Sequence, residues 1–113
     1  MSKVVQFEVE DKEYVAIFSR YYSNTFDRNI TQCTLVTLPE RYVLAGATMC
    51  HKNDTFKEVD GERIAFRRAV LAYLMLMEKA HNKHYSLVIL KGIVKMFQKS
   101  MGLAKYNLYG KEE

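Results

Sequence analysis

A single proline, five glycines and two cysteines are all that this 113-residue chain holds of the residues that break, loosen or staple a backbone. So little proline and glycine leaves no flexible linker or low-complexity tract. No fixed-period repeat runs through the chain either. Cys33 and Cys50 fit free thiols in a reducing compartment, although both fall in expected strands and a sheet could bring them together. The longest apolar runs, such as Val70–Met77, are far too short for a membrane span, and that one carries Tyr73. The start, MSKVVQFEVEDKEY, enters charged alternation directly instead of a leader. A single cytoplasmic domain over residues 1–113, with no membrane partner, is therefore the expectation.

Catalytic signatures are also missing. There is no glycine-rich phosphate loop and no Ser–His–Asp order. The acids cluster in exposed-looking turns (Glu8, Glu10, Asp11, Glu13; Asp54, Glu58, Asp60) without forming a convergent pair. No enzyme is expected. Metal ligation is not expected either: Cys50 and His51 adjoin on a strand and point to opposite faces. His81 and His84 suit an exposed helix end, where His81 would favour the negative dipole. No cofactor is expected.

What the chain does have is hydrophobic residues at 49% of its length, enough for a core without staples. Its charge is unevenly spread. Residues 1–62 hold 7 Lys/Arg against 10 Asp/Glu, a balance of −3, while residues 63–113 hold 10 against 3, a balance of +7. A basic second half attracts phosphates or an acidic partner, unless it is simply a solvated helical surface.

Val4–Glu8 and Glu13–Phe18 read as strands joined by the charged turn Glu10-Asp11-Lys12. Ser19–Asn29 reads as a polar and aromatic loop or a short helical turn. Ile30–Leu38 alternates and is β-branched, Pro39 marks a turn, and Tyr42–Cys50 is a fourth strand. A helix follows over Ile64–His81, with Asp60 as N-cap and Val59 and Ile64 as a hydrophobic staple. It is apolar nearly all round, so it should lie on the sheet and also meet the last helix or a second subunit. A second helix runs from near Ser86 to about Met101 and stops at Gly102. Leu87, Ile89, Leu90, Ile93, Val94, Phe97 and Met101 form its apolar side, and Lys91, Lys95 and Lys99 line the other. The fold class is α+β: an antiparallel sheet of about four strands followed by two C-terminal helices, one packed on the sheet.

Four groups could carry binding. Arg63 and Arg67 share a face at the start of the first helix, with Arg68 about 100° away. A helix N-terminus disfavours cations, so an anion there would relieve the repulsion. Ordinary pairing with Glu58, Glu62 or Glu78 is the competing account. The loop residues Arg20, Tyr21, Tyr22, Phe26 and Arg28 interleave cations with aromatics, a mixture that suits stacking on a base while holding a phosphate. They could equally plug the open end of the sheet. His51 and Asp54, in the polar loop before the first helix, complete the ligand-binding candidates. Lys91, Lys95 and Lys99 form a stripe that would track phosphates of a nucleic acid, or stay solvated.

The run D-x-F-x-x-x-x-G-x-x-x-A-x-x-R-A, here Asp54, Phe56, Gly61, Ala65, Arg68 and Ala69, is preceded by Gly46, Ala47 and Cys50. This set resembles one that recurs in small phage proteins, among them the phage anti-Thoeris signal sponges of the first described type. The resemblance implies a small antiparallel sheet followed by helices, assembly into oligomers, and sequestration of cyclic ADP-ribose-type signals without cleavage. Only Arg68 and Asp54 carry over as ligand candidates. Most matched positions look structural.

The expectation is thus a phage counter-defence protein that binds and sequesters a cyclic nucleotide or ADP-ribose-type signal as a homo-oligomer in the host cytoplasm. The rivals are a nucleic-acid-binding or anti-CRISPR-type inhibitor acting through its basic helical face, and an inhibitor of an acidic host protein.

Overall fold

The structure, a computed structural model, describes residues 2–50 and 58–106. Four strands run in a simple antiparallel meander, β1 (Ser2–Val9), β2 (Lys12–Ser23), β3 (Arg28–Leu38) and β4 (Val43–Met49), in spatial order β1-β2-β3-β4. Two helices follow, α1 (Glu58–Ala80) and α2 (Leu87–Lys105). The α+β class and the order of elements are those read from the sequence.

The first hairpin turns through Glu10 and Asp11, both at positive φ (49° and 66°), the twist that suits a two-residue connection. The second hairpin corrects the sequence reading. Residues 19–29 are not a loop: β2 and β3 continue to Ser23↔Arg28, leaving only residues 24–27 as the turn. Ladder hydrogen bonds here override a side-chain pattern too polar to look like a strand.

Both helices lie on one face of the sheet, α1 over β3 and β4, α2 over β1. That face supplies Val5, Phe7, Val9, Tyr14, Ala16, Phe18, Cys33 and Leu35, all buried, and meets Ala65, Phe66, Ala69, Val70, Tyr73 and Leu74 of α1. From α2 come Val94, Phe97 and Met101. Aromatic rings knit the sheet to the helices, with Tyr14 and Phe97 4.9 Å apart at their centroids. No described helix is long and apolar enough to cross a membrane.

The helix ends depart from expectation. Asp60 is not an N-cap, because α1 already begins at Glu58. Val59 is among the residues whose side chains are outside the description. Ser86 does cap α2, accepting from the Ile89 N–H at 3.3 Å. Gly102 does not stop α2, which continues to Lys105. The reason is an ion pair: Glu62, only 3% exposed, receives both Lys3 from β1 and Lys105 from the end of α2. Leu87 and Ile89, expected on the buried side, are exposed, because the first turn of α2 stands outside the core.

Candidate functional site

α1 and α2 run side by side and leave a groove of about 230 Å³ between them. Its floor is apolar, from Leu71 of α1 and Leu90 and Val94 of α2, with the exposed Leu87 at the rim, and its polar lining is Arg67, Lys91, Lys95 and Gln98. Helical spacing explains the gathering. Arg67 and Leu71 are one turn apart on α1, as Leu87, Lys91 and Lys95 are on α2. The connection after α1 turns the chain back so that these lines face each other. It is held by Glu78, whose carboxylate accepts from the Tyr85 N–H at 2.7 Å and lies 3.7 Å from His84 Nδ1. Three cations therefore share one wall system with no carboxylate among the described lining residues.

Two other cavities are chemically different. One, about 290 Å³, lies between the β1–β2 hairpin and the helices and is walled by Tyr14, Tyr73, Tyr85 and Phe97. Its cation, Lys12, already reaches Glu40 at 3.3 Å, with Glu10 also in the lining. Burial alone would lower the Lys12 pKa, but its bonds to Glu40 and Tyr73 outweigh that and raise it. Burial and the Tyr73 hydroxyl push the Tyr14 phenol above its ordinary range, so it stays neutral. The other cavity, at the α1–α2 connection, is wide open and contains Glu78. The first leaves an anion no uncompensated positive charge; the second sets Lys79 and Lys83 against Glu78 but gives a ligand little enclosure and no apolar floor.

The structure separates the expected site residues. Arg67 lines the groove together with Lys91 and Lys95, uniting members of two sets that the sequence kept apart. Lys99 is exposed one turn further along α2. Arg63 is exposed one turn before Arg67 and is not part of the groove lining. Arg68 turns away: its Nη1 donates to the Ala47 carbonyl oxygen at 2.7 Å, fastening α1 to the outer edge of β4. Arg20 lies opposite Thr31 on the helix-facing side of β2. Tyr21 and Tyr22 are exposed on opposite faces at the end of β2, and Phe26 is 57% exposed at the turn, so it plugs nothing. Arg28 packs at the same end, with Nη1 3.8 Å from Met49 Sδ. None of these lines the groove. His51 and Asp54 lie outside the described residues.

Gln98 and the leucine floor were missed from sequence. Gln98 is four residues after Val94 and three after Lys95, so the helical period would have located it once Lys91 and Lys95 were singled out. The cysteines are far apart in role: Cys33 is buried opposite Gly46, while Cys50 follows β4 and donates its N–H to the Asn29 carbonyl. Neither is joined in a disulfide. Among the described residues no group of three or more His, Cys, Asp or Glu is placed to hold a metal ion.

No protein-family model, curated protein or solved structure matches this chain.

Proposed function

We propose that the protein binds and holds an anionic, nucleotide-type small molecule in the α1–α2 groove without transforming it. The observation that carries this reading is the meeting of Arg67, Lys91 and Lys95 around an apolar floor. Phosphates need cations, of which Arg can donate two parallel hydrogen bonds. A base or ribose needs apolar surface with a few polar partners, which Leu71, Leu90, Val94 and Gln98 supply. At about 230 Å³ the groove takes part of such a ligand, and the rest lies over its open rim.

The biological role follows from the resemblance of the Gly46–Ala69 segment to phage anti-Thoeris proteins. In this reading the protein is a phage counter-defence factor acting in the host cytoplasm. As a homo-oligomer it sequesters a cyclic nucleotide or ADP-ribose-type immune signal.

A second reading has its own support. Lys91, Lys95 and Lys99 are all exposed along one face of α2, next to Arg67, a spacing that could track a nucleic-acid backbone or an acidic host protein.

A thermal-shift panel of cyclic nucleotides and ADP-ribose isomers separates the two. A ligand at a hundred times its Kd adds about 2.7 kcal/mol, or roughly 10 °C in Tm for a chain of this size. The bound compound should be recovered unchanged by mass spectrometry. No shift across the panel, together with oligonucleotide binding that falls steeply with salt, would favour the second reading.

A further inference from the structure

Both helices cover the same face of the sheet, and the opposite face has no covering element among the described residues. In an antiparallel sheet with one wet face, the outward positions are usually polar. Here they include Val4, Val15, Ile17, Val36, Val43 and Met49, with Val4 53% and Val43 64% exposed. The register aligns them into rows across the sheet, such as Val15↔Val36↔Val43 and Val4↔Ile17↔Thr34↔Ala45. The other positions in the middle of this face, such as Gln32 and Ser19, are polar but uncharged. A contiguous apolar surface of this kind marks an interaction site.

The charges at its two ends indicate the occupant. Glu8 and Glu13 face each other directly across β1 and β2 at one end, and like charges opposed in this way destabilise a sheet. Neither makes an ion pair among the described residues. At the far end, Arg28 of β3 has no carboxylate partner among the described residues, and its buried Nε has no hydrogen-bond acceptor. Among the outward strand positions, one end thus carries two carboxylates and the other a guanidinium, with Asp27 and Arg41 in the turns beyond them.

We infer that this open sheet face is the interface of a two-fold homodimer. The two-fold axis lies in the interface and runs perpendicular to the strands. That operation stacks β2 on its own copy with reversed direction, so Arg28 of each copy comes over the Glu8–Glu13 end of the other. An axis along the strands would instead bring the acidic ends together. The size is adequate. Four strands about 4.8 Å apart and about 27 Å long give a footprint near 500 Å² per copy. Both copies together then bury about 1,000 Å² or more, the threshold for a specific interface. The helical grooves stay on the outer surfaces, so a dimer presents two ligand sites facing away from each other.

This inference rests on the oligomer part of the proposed function and can fail separately from it. Sedimentation or native mass measurement at about 50 µM tests it on the wild type and on Ile17→Lys and Val36→Lys, each checked for folding by circular dichroism. The expected masses are twice 13.2 kDa for the wild type and 13.2 kDa for the folded variants. Arg28→Glu and Glu13→Arg should each weaken the dimer by about tenfold, and their combination should recover it. A monomeric wild type overturns both the interface and the oligomer, leaving the face to a foreign partner. An oligomer that survives Ile17→Lys and Val36→Lys overturns this interface alone. Failure of the charge-reversed pair to recover overturns the two-fold arrangement. Ligand binding measured at Arg67 is independent of all three.

Discussion

Gly46 of β4 lies against Ala65 of α1 so closely that a β-carbon on Gly46 would stand 2.4 Å from the Ala65 carbonyl oxygen. The same β-carbon would stand 2.4 Å from the Ala69 N–H nitrogen. Backbone meets backbone here, and no side-chain rotation can relieve the clash. Gly46→Ala should therefore destabilise the fold by about 3 kcal/mol, the upper part of the overpacking range. Urea denaturation checks this. A loss under 1 kcal/mol would mean that α1 shifts freely on the sheet.

Glu62 of α1 ties three elements together through Lys3 of β1 and Lys105 of α2. Its carboxylate is buried, whereas the lysine side chains stay 29% and 25% exposed. Glu62→Gln should cost about 3 kcal/mol, the low end for breaking a buried pair, because both stranded cations can still reach water. The last turn of α2, from Gly102 on, should fray in the variant. Amide hydrogen exchange at residues 102–105 reads this directly.

Arg68 gives a prediction opposite in kind to that for Arg67. Its guanidinium fastens the β4 edge through the Ala47 carbonyl, in an exposed position. Arg68→Ala should lower stability by about 1 kcal/mol, discounted for solvent, and leave ligand affinity within about twofold. If binding is lost instead, Arg68 belongs to the ligand site, as its place in the anti-Thoeris-like segment would imply.

Burial, and secondarily Glu62, pushes the Cys33 thiol up to about 12 from an ordinary 9.0. Such a group favours the folded state fully below its unfolded pKa, and that contribution disappears as pH rises through the folded value. Stability should therefore decline between pH 9 and 12, with the Tyr14 phenol, also raised, acting in the same direction. At pH 8, iodoacetamide should label Cys50 in the native protein and Cys33 only after unfolding. Rapid native labelling of Cys33 would contradict its buried position.

The strands whose alternation is apolar, β1 and the cores of β2, β3 and β4, were legible from sequence, as were both helices. The outer halves of the second hairpin were not, because Arg20, Tyr22, Asn24 and Asp27 look like loop residues while the ladder continues to Ser23 and Arg28. Gly102 read as a stop because local propensity favours one; the Lys105–Glu62 pair, 43 residues apart in sequence, decides otherwise. The groove was half legible. Arg67 and the lysine stripe were each visible, but their meeting depends on how α1 and α2 pack, which no local pattern encodes. A signal for the uncovered sheet face was present and overlooked: Tyr14-Val15-Ala16-Ile17-Phe18 is apolar at every position, the pattern of a strand covered on both sides.

The most direct measurement of the central claim is calorimetric titration with ADP-ribose and its cyclic isomers. The wild type, Arg67→Ala and the double variant Arg67→Ala/Lys95→Ala should be compared. Each lost charge-assisted contact should weaken binding by about tenfold, near 1.5 kcal/mol. The account predicts stepwise loss of affinity across the three proteins, with the ligand intact afterwards and all three equally folded. Equal affinity in all three, or no heat of binding in any, would contradict it.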